Sequence, residues 1–367
     1  MRHEIAMVGG SSIRPGKPIA AAGPPGAAVA FTIEGARVVG TPTCAASLQG
    51  GDILAARGEM GANALVEFLP KWPESTGPRT RVHVLNGFGM AIGDSLIGLQ
   101  VASSMTERAD LVLWRTRADL HPGLVRVYEI AGFETRQLPV PLAAFAALDG
   151  QRLDLSDYAM REDFAATNMF DYFAARLGLD PATIPTTSRA PSWLAKALPN
   201  PPQPPLREPY VLIAAGASQP IRAMPPDEAK ALATAVIGAT GIRVAGLGFD
   251  LDHTQFTQAD SWTPDFDSFV GLIAHASAIV SADSAAIHIA AAYAIPTLGL
   301  FTTTAPSLRI SGYPHMSGLL LDPAATYLGQ HWHESRDQLD QVAASWRKRR
   351  DDIAGAALAL MRQAPPR

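Results

Sequence analysis

The stretch IVSADSAAIHIAAAYAIPTLGLF, residues 279–301, decides how this chain is read. A short apolar strand ends at Ser281, and Ser284 is placed to cap a helix whose first turn is Ala285, Ala286 and Ile287. Small residues leave the N–H groups of that turn accessible, and the helix dipole favours an anion there. Asp283 stands at the strand tip, where a carboxylate accepts hydrogen bonds from ligand hydroxyls. His288, four residues after Ser284, falls on the same helix face. A further strand, Thr297–Phe301, follows Pro296. Strand, helix and strand in succession build a parallel α/β sheet, which binds ligands at the carboxyl ends of its strands. A purely structural reading stands beside this one, with Asp283 as a helix cap and His288 satisfied in the core, because such corners are common.

The same alternation extends outward. Upstream come strand Tyr210–Ala214, helix Pro226–Gly238, strand Arg243–Gly246, helix Phe266–Ala276 and strand Ala278–Ser281. Before these, PNPPQPPLREP at 199–209 reads as a stiff extended linker and hinge. A first α/β set precedes it: strand Val82–Leu85, helix Asp94–Met105, strand Leu111–Trp114, helix Leu124–Ile130 and strand Gln137–Val140. Helical segments follow at 161–177 and 191–197. Residues 1–78, rich in Gly, Pro and Ala, suggest a small β-rich module. The tail 334–361 reads as a long helix whose basic run Arg347–Arg350 forms a solvated face. The expected division is therefore 1–78, 79–200, 201–333 and 334–367.

Composition bounds the function. A chain of 367 residues with 47% apolar and 17% charged residues has room for two or three cores. A formal net charge of −4 excludes general affinity for nucleic acid or anionic membrane, leaving at most peripheral membrane association. Cys44 is the one cysteine, which excludes a disulfide framework and fits a reducing, cytoplasmic setting. No signal-like or membrane-spanning apolar run is present.

Two further constellations carry chemistry. In VHVLNGFGMAIGDSLIGLQ, residues 82–100, Gly87, Gly89 and Gly93 lie between strand and helix, one residue longer than a dinucleotide fingerprint. They raise the alternative of an NADP-dependent oxidoreductase, with Arg115 or Arg117 on the 2′-phosphate. Asp94 at the helix start opposes a pyrophosphate there, and serves either as a cap or as a base. In AAGASQPIRAMP, residues 214–225, Gly216 frees the backbone while Ser218 and Arg222 suit a diphosphate. GSSIRPGKP at 10–18 lacks P-loop spacing, and His331-Trp332-His333-Glu334 makes a poor metal site because side chains at i and i+2 rarely converge.

Taken together, GFGMAIGDSLIGLQ, GASQPIRAMP and SADSAAIHIAAAYAIPTLGLFTTTAP resemble the bacterial heptosyltransferases, glycosyltransferase family 9, over roughly residues 81–306. The resemblance implies a GT-B fold, two Rossmann-like domains facing a cleft. It also implies an inverting glycosyltransferase moving a sugar, heptose by family, from a nucleoside diphosphate to a glycan or protein hydroxyl. ADP-heptose is then the donor, with no cofactor and no metal, and lipopolysaccharide biosynthesis and protein glycosylation are the settings. By position, Asp94 matches the general base, and Ser218 and Arg222 the diphosphate loop, Arg replacing the usual Lys. Asp283 matches the sugar contact. Ser284 caps the helix whose Ala285, Ala286 and Ile287 match the phosphate cradle; Ala285 stands where Gly is usual. His288 matches the histidine near the phosphates, and Thr302 to Thr304 keep hydroxyls beside the pocket. GPPGAAVAFTIEGARVV, residues 23–39, resembles the N-terminal part of autotransporter protein heptosyltransferases. This chain departs from those enzymes in having no cysteine after Cys44 to hold their iron. A non-catalytic sugar-nucleotide-binding scaffold is the remaining alternative.

Overall fold

The computed structural model describes residues 5–6, 12–13, 29–33, 36–40, 51–56, 80–85, 87–89, 91–105, 109–115, 122–137, 140–141, 148, 151–155, 158, 162–330 and 335–363. The metal reading of residues 331–334 therefore lies outside the described residues, as do Arg117, the side chain of Arg115 and the glycine-rich stretch 10–18 apart from Ser12–Ile13.

The chain clusters into two compact units. One comprises Met1–Met90, Val101–Thr167 and Asp171–Thr183; the other comprises Ala91–Gln100, Asn168–Phe170 and Ile184–Arg367.

The described residues at the start of the first unit are short strands. Strand β1 (Ile5–Ala6) pairs antiparallel with β2 (Ser12–Ile13). Strand β3 (Val29–Ile33) pairs antiparallel with both β4 (Ala36–Gly40) and β5 (Gly51–Ala56). The α/β pattern then begins: β6 (Thr80–Leu85), α1 (Ile92–Ser103), β7 (Ala109–Arg115), α2 (Pro122–Ala131) and β8 (Glu134–Gln137). The expected strand Gln137–Val140 is a misreading. The chain instead ends β8 at Gln137 and makes β9 (Val140–Pro141), which pairs with β4. Pro139, having no N–H for a ladder, falls between them. Strand β10 (Gln151–Asp154) completes a parallel sheet of order β10-β6-β7-β8. Two helices, α3 (Glu162–Ala166) and α4 (Met169–Arg176), replace the single segment expected. Phe88, Tyr158, Phe164, Tyr172 and Phe173 pack edge to face nearby.

In the second unit, α5 (Trp193–Ala197) precedes the proline-rich stretch. That stretch is not a free hinge. Gly271 has no side chain to displace the backbone of Pro202, and His275 reaches the carbonyl of Pro201 at 3.4 Å. The prolines are thus laid along a helix of the same unit.

Then follow β11 (Tyr210–Ala214), α6 (Pro226–Thr240), β12 (Arg243–Leu247), β13 (Phe256–Gln258), α7 (Phe266–Ala274), β14 (Ala278–Ala282), α8 (Ala285–Ala292), β15 (Thr297–Phe301), α9 (Ser307–Ile310) and β16 (Met316–Leu320). All six strands run parallel in the order β13-β12-β11-β14-β15-β16. Counted within the unit this is 3-2-1-4-5-6, the Rossmann order, whose direction of winding reverses between β11 and β14. Strands β11, β14 and β15 are buried along their whole length, which explains their unbroken apolar runs.

The tail folds as α10 (Arg336–Lys348) and α11 (Arg350–Gln363), interrupted at Arg349. Trp346, Ile353, Ala357 and Met361 join Val211, Val236 and Val280 in one core. The basic run is not simply a solvated face: Arg350 grips buried Glu228 with two hydrogen bonds of 2.7 and 2.8 Å.

Candidate active site

The carboxyl ends of β11 and β14 flank the point where the sheet changes direction of winding, so ligand-binding groups are expected on the loops that leave them. Beyond β11, the loop 215–224 is closed at its neck by the Met224 N–H donating to the Ala215 carbonyl at 2.9 Å. It carries the short 3-10 turn Pro220–Arg222. The turn aims Arg222 back over the sheet, where its Nη2 donates to Ser218 Oγ at 2.5 Å and its Nη1 lies 3.5 Å from Asp283 Oδ2. Ser218 and Arg222 from one loop and Asp283 from the other therefore meet in one cluster. Asp283 is 3% exposed, yet its charge is opposed by the guanidinium. The Arg222 Nε is buried without a hydrogen-bond partner among the described residues, as is Thr303 Oγ1. A buried orphan donor is costly, and a ligand oxygen would relieve it.

The turn after β14 explains its own sequence. Ser281 Oγ donates to the Ala282 carbonyl at 2.7 Å, so the 3.1 Å contact between Ser281 and Ser284 hydroxyls is a donation from Ser284. Ser284, in extended conformation, accepts from the Ala286 N–H and so caps α8. The expected three-amide cradle is accordingly narrower. The Ala286 N–H is held by Ser284 Oγ at 3.3 Å and the Ile287 N–H by the Ser284 carbonyl at 3.2 Å. Of the three, Ala285 alone keeps its N–H free of such a partner among the described residues. Thr302 spends its proton on the Ile221 carbonyl at 2.8 Å, tying the end of β15 to the Arg222 turn.

His288 is 4% exposed one turn into α8. Its Nδ1 lies 3.0 Å from the Tyr313 hydroxyl. Burial pushes its pKa down to about 4; Asp283 opposes that fall, and Arg309 and Arg222 add to it. The ring is neutral at physiological pH. Against it packs the start of α1: a β-carbon on Gly93 would lie 3.0 Å from His288 Cδ2 and 3.7 Å from Ala285 Cα. Asp94, acidic in the first turn of α1 and half-buried, is the next residue along. The segment Ala91–Gln100 clusters with the second unit, which brings the candidate base beside the candidate phosphate corner.

The glycine turn before α1 is occupied from within the first unit. Phe88 N–H donates to the Tyr128 hydroxyl at 2.9 Å, and a β-carbon on Gly87 would lie 2.6 Å from that oxygen. The phenol of Tyr158 crowds Gly89 likewise. These glycines make room for tyrosines, and the turn amide is not open to a pyrophosphate.

Residues that the sequence reading did not single out are Tyr313 and Arg309. Both are buried, and Arg309 bears on His288 electrostatically. Tyr313 is 25 residues beyond His288, a spacing with no local signature.

The family model described as Glycosyltransferase family 9 (heptosyltransferase) matches residues 263–318. The match contains Asp283, Ser284, His288, Thr302 and Tyr313. Among solved structures, the ADP-heptose lps heptosyltransferase II of E. coli is 17% identical, over 73% of this chain and 99% of that one, with a TM-score of 0.46. The iron-containing dodecameric glycosyltransferase TibC of enterotoxigenic E. coli is 12% identical, over 89% of this chain and 82% of that one, with a TM-score of 0.49. The glycosyl transferase family 9 protein of Veillonella parvula is 10% identical, over 79% and 100%, with a TM-score of 0.48. No curated protein matches the sequence. The resemblance read from the sequence is matched by the family model in the segment that carries the candidate phosphate corner.

Proposed function

We propose that the protein is an inverting glycosyltransferase that moves a heptose from ADP-heptose to a hydroxyl of a glycan or protein. One observation carries this reading: Ser218, Arg222 and Asp283 converge where the sheet changes direction, at the corner that leads into α8, and the Ala285 and His288 of that helix lie against Gly93, the residue before Asp94. Arg222, Ser218 and the Ala285 N–H stabilise the charge that grows on the departing diphosphate. Asp283 accepts from sugar hydroxyls, and Asp94 removes the acceptor proton as the oxygen attacks the anomeric carbon from the opposite face. The reaction is a single displacement, so the configuration at that carbon inverts. Cys44 is the one cysteine, so the chain has no cysteine set for an iron, and no step is routed through a metal.

The test is a thermal-shift panel of nucleoside diphosphate sugars followed by product analysis. ADP-heptose at about 100 times its dissociation constant adds about 2.7 kcal/mol of stability. Stabilisation by NADPH and by no sugar nucleotide would overturn the reading. Binding of ADP-heptose with neither transfer nor hydrolysis would reduce the protein to a scaffold.

A further inference from the structure

We infer that Tyr313 is a positioning residue that holds His288 in its Nε2-protonated neutral tautomer, making the histidine a fixed hydrogen-bond donor at the phosphate corner. The Tyr313 hydroxyl lies 3.0 Å from His288 Nδ1, the rings meet edge to face at 82°, and both residues are buried.

The direction of that bond follows from chemistry. A phenol is a good donor and a poor acceptor, whereas the unprotonated nitrogen of a neutral imidazole is the strong acceptor of the pair. Tyr313 belongs to an apolar cluster with Ala190, Ile287, Ala291, Phe301 and Ile310. His288 is the one hydrogen-bond partner of its hydroxyl among the described residues. Were Nδ1 the protonated atom, the phenol proton would be stranded in that cluster at the cost of an unmade buried bond. Burial also raises the phenol's pKa, so Tyr313 stays a neutral donor. With Nδ1 accepting, Nε2 carries the proton, and the Cδ2–Nε2 edge faces Gly93, which also lies against Ala285. A neutral donor of fixed orientation suits a diphosphate without adding a charge that would slow its release.

The tautomer itself is independent of the proposed activity, but its consequence rests on the donor-site reading above. The decisive experiment is long-range 1H–15N correlation of the His288 imidazole in histidine-labelled protein, assigned by the signals lost in His288→Gln. The wild-type protein is expected to show a pyrrole-type Nε2 and a pyridine-type Nδ1, and Tyr313→Phe a mixture of tautomers. A pyrrole-type Nδ1 in the wild-type spectrum overturns the inference whether or not the variant folds, and so does an unchanged ratio in a folded Tyr313→Phe.

Binding gives a second readout, with ADP as the probe. The apparent dissociation constant rises as the reciprocal of the competent fraction, about twofold if Tyr313→Phe leaves half the molecules in the right tautomer. His288→Gln, which places an amide N–H near the Nε2 position, is expected to bind ADP more tightly than His288→Asn, which places one near Nδ1. The reverse order would overturn the inference. Failure of the wild-type protein to bind ADP would instead sink the donor-site reading and leave the tautomer result standing.

Discussion

Gly93 and His288 approach so closely that a single added carbon on the glycine would lie 3.0 Å from the imidazole. Gly93 does not need its glycine for backbone conformation, since its φ is not positive. Alanine would even favour the helix by up to about 1 kcal/mol. We expect Gly93→Ala to melt within a few degrees of the wild type yet lose roughly tenfold to a hundredfold in kcat/KM, because the shifted ring misplaces the phosphate corner. Equal turnover in the two proteins would show that the contact has no catalytic meaning.

Asp94→Asn keeps the shape of the side chain and removes the proposed base. Transfer should fall by about a hundredfold to ten-thousandfold, with ADP affinity changed by less than about twofold. Calorimetric titration with ADP beside a transfer assay separates the two, and undiminished transfer would refute the assignment.

Arg222→Ala should damage both fold and binding. It leaves the 3% exposed carboxylate of Asp283 without its ion-pair partner. A buried charge stranded in this way costs roughly 3 kcal/mol. Adding Asp283→Asn should restore much of that stability and none of the ADP affinity. Denaturant unfolding of the single and double variants checks the first point, and titration the second.

His288 makes stability depend on pH. Its pKa is about 4 in the folded protein against 6.5 ordinarily, the fall coming from burial first, with Arg309 and Arg222 assisting and Asp283 opposing. Between these values the unfolded chain takes up a proton that the folded protein refuses. The contribution is therefore complete above about pH 6.5 and is lost as pH falls toward 4, by roughly 3 kcal/mol over the window. Comparing unfolding at pH 7 and pH 4.5 in wild type and His288→Gln isolates it: the variant should lose less stability over that interval.

The interior strands were legible because burial on both faces writes an unbroken apolar run. Tyr210–Ala214 and Thr297–Phe301 can be bounded to the residue from sequence alone. The edges were not. Strand β13 is three residues long, and β16 carries exposed Ser317 and Gly318, so neither has the pattern of a buried strand. Likewise Ser218, Arg222 and Asp283 were readable as loop residues after strands, a position fixed by topology. Tyr313 was invisible because its meeting with His288 depends on how α9 and the following turn pack. The proline-rich run misled for a related reason: its composition reports stiffness, while its docking depends on Gly271, more than sixty residues away.

The fold of the tail constrains the order of events during synthesis. Trp346 is wholly buried, and Met361 closes the same core as Val211 and Val280. The second unit also claims Ala91–Gln100, made long before. From Gln100 to Gln363 the ribosome must add 263 residues, and at ordinary rates of elongation that takes about ten to fifty seconds. For the first part of that interval, until residue 288 is added, the segment bearing Asp94 is translated while His288, the residue against which Gly93 packs, does not yet exist.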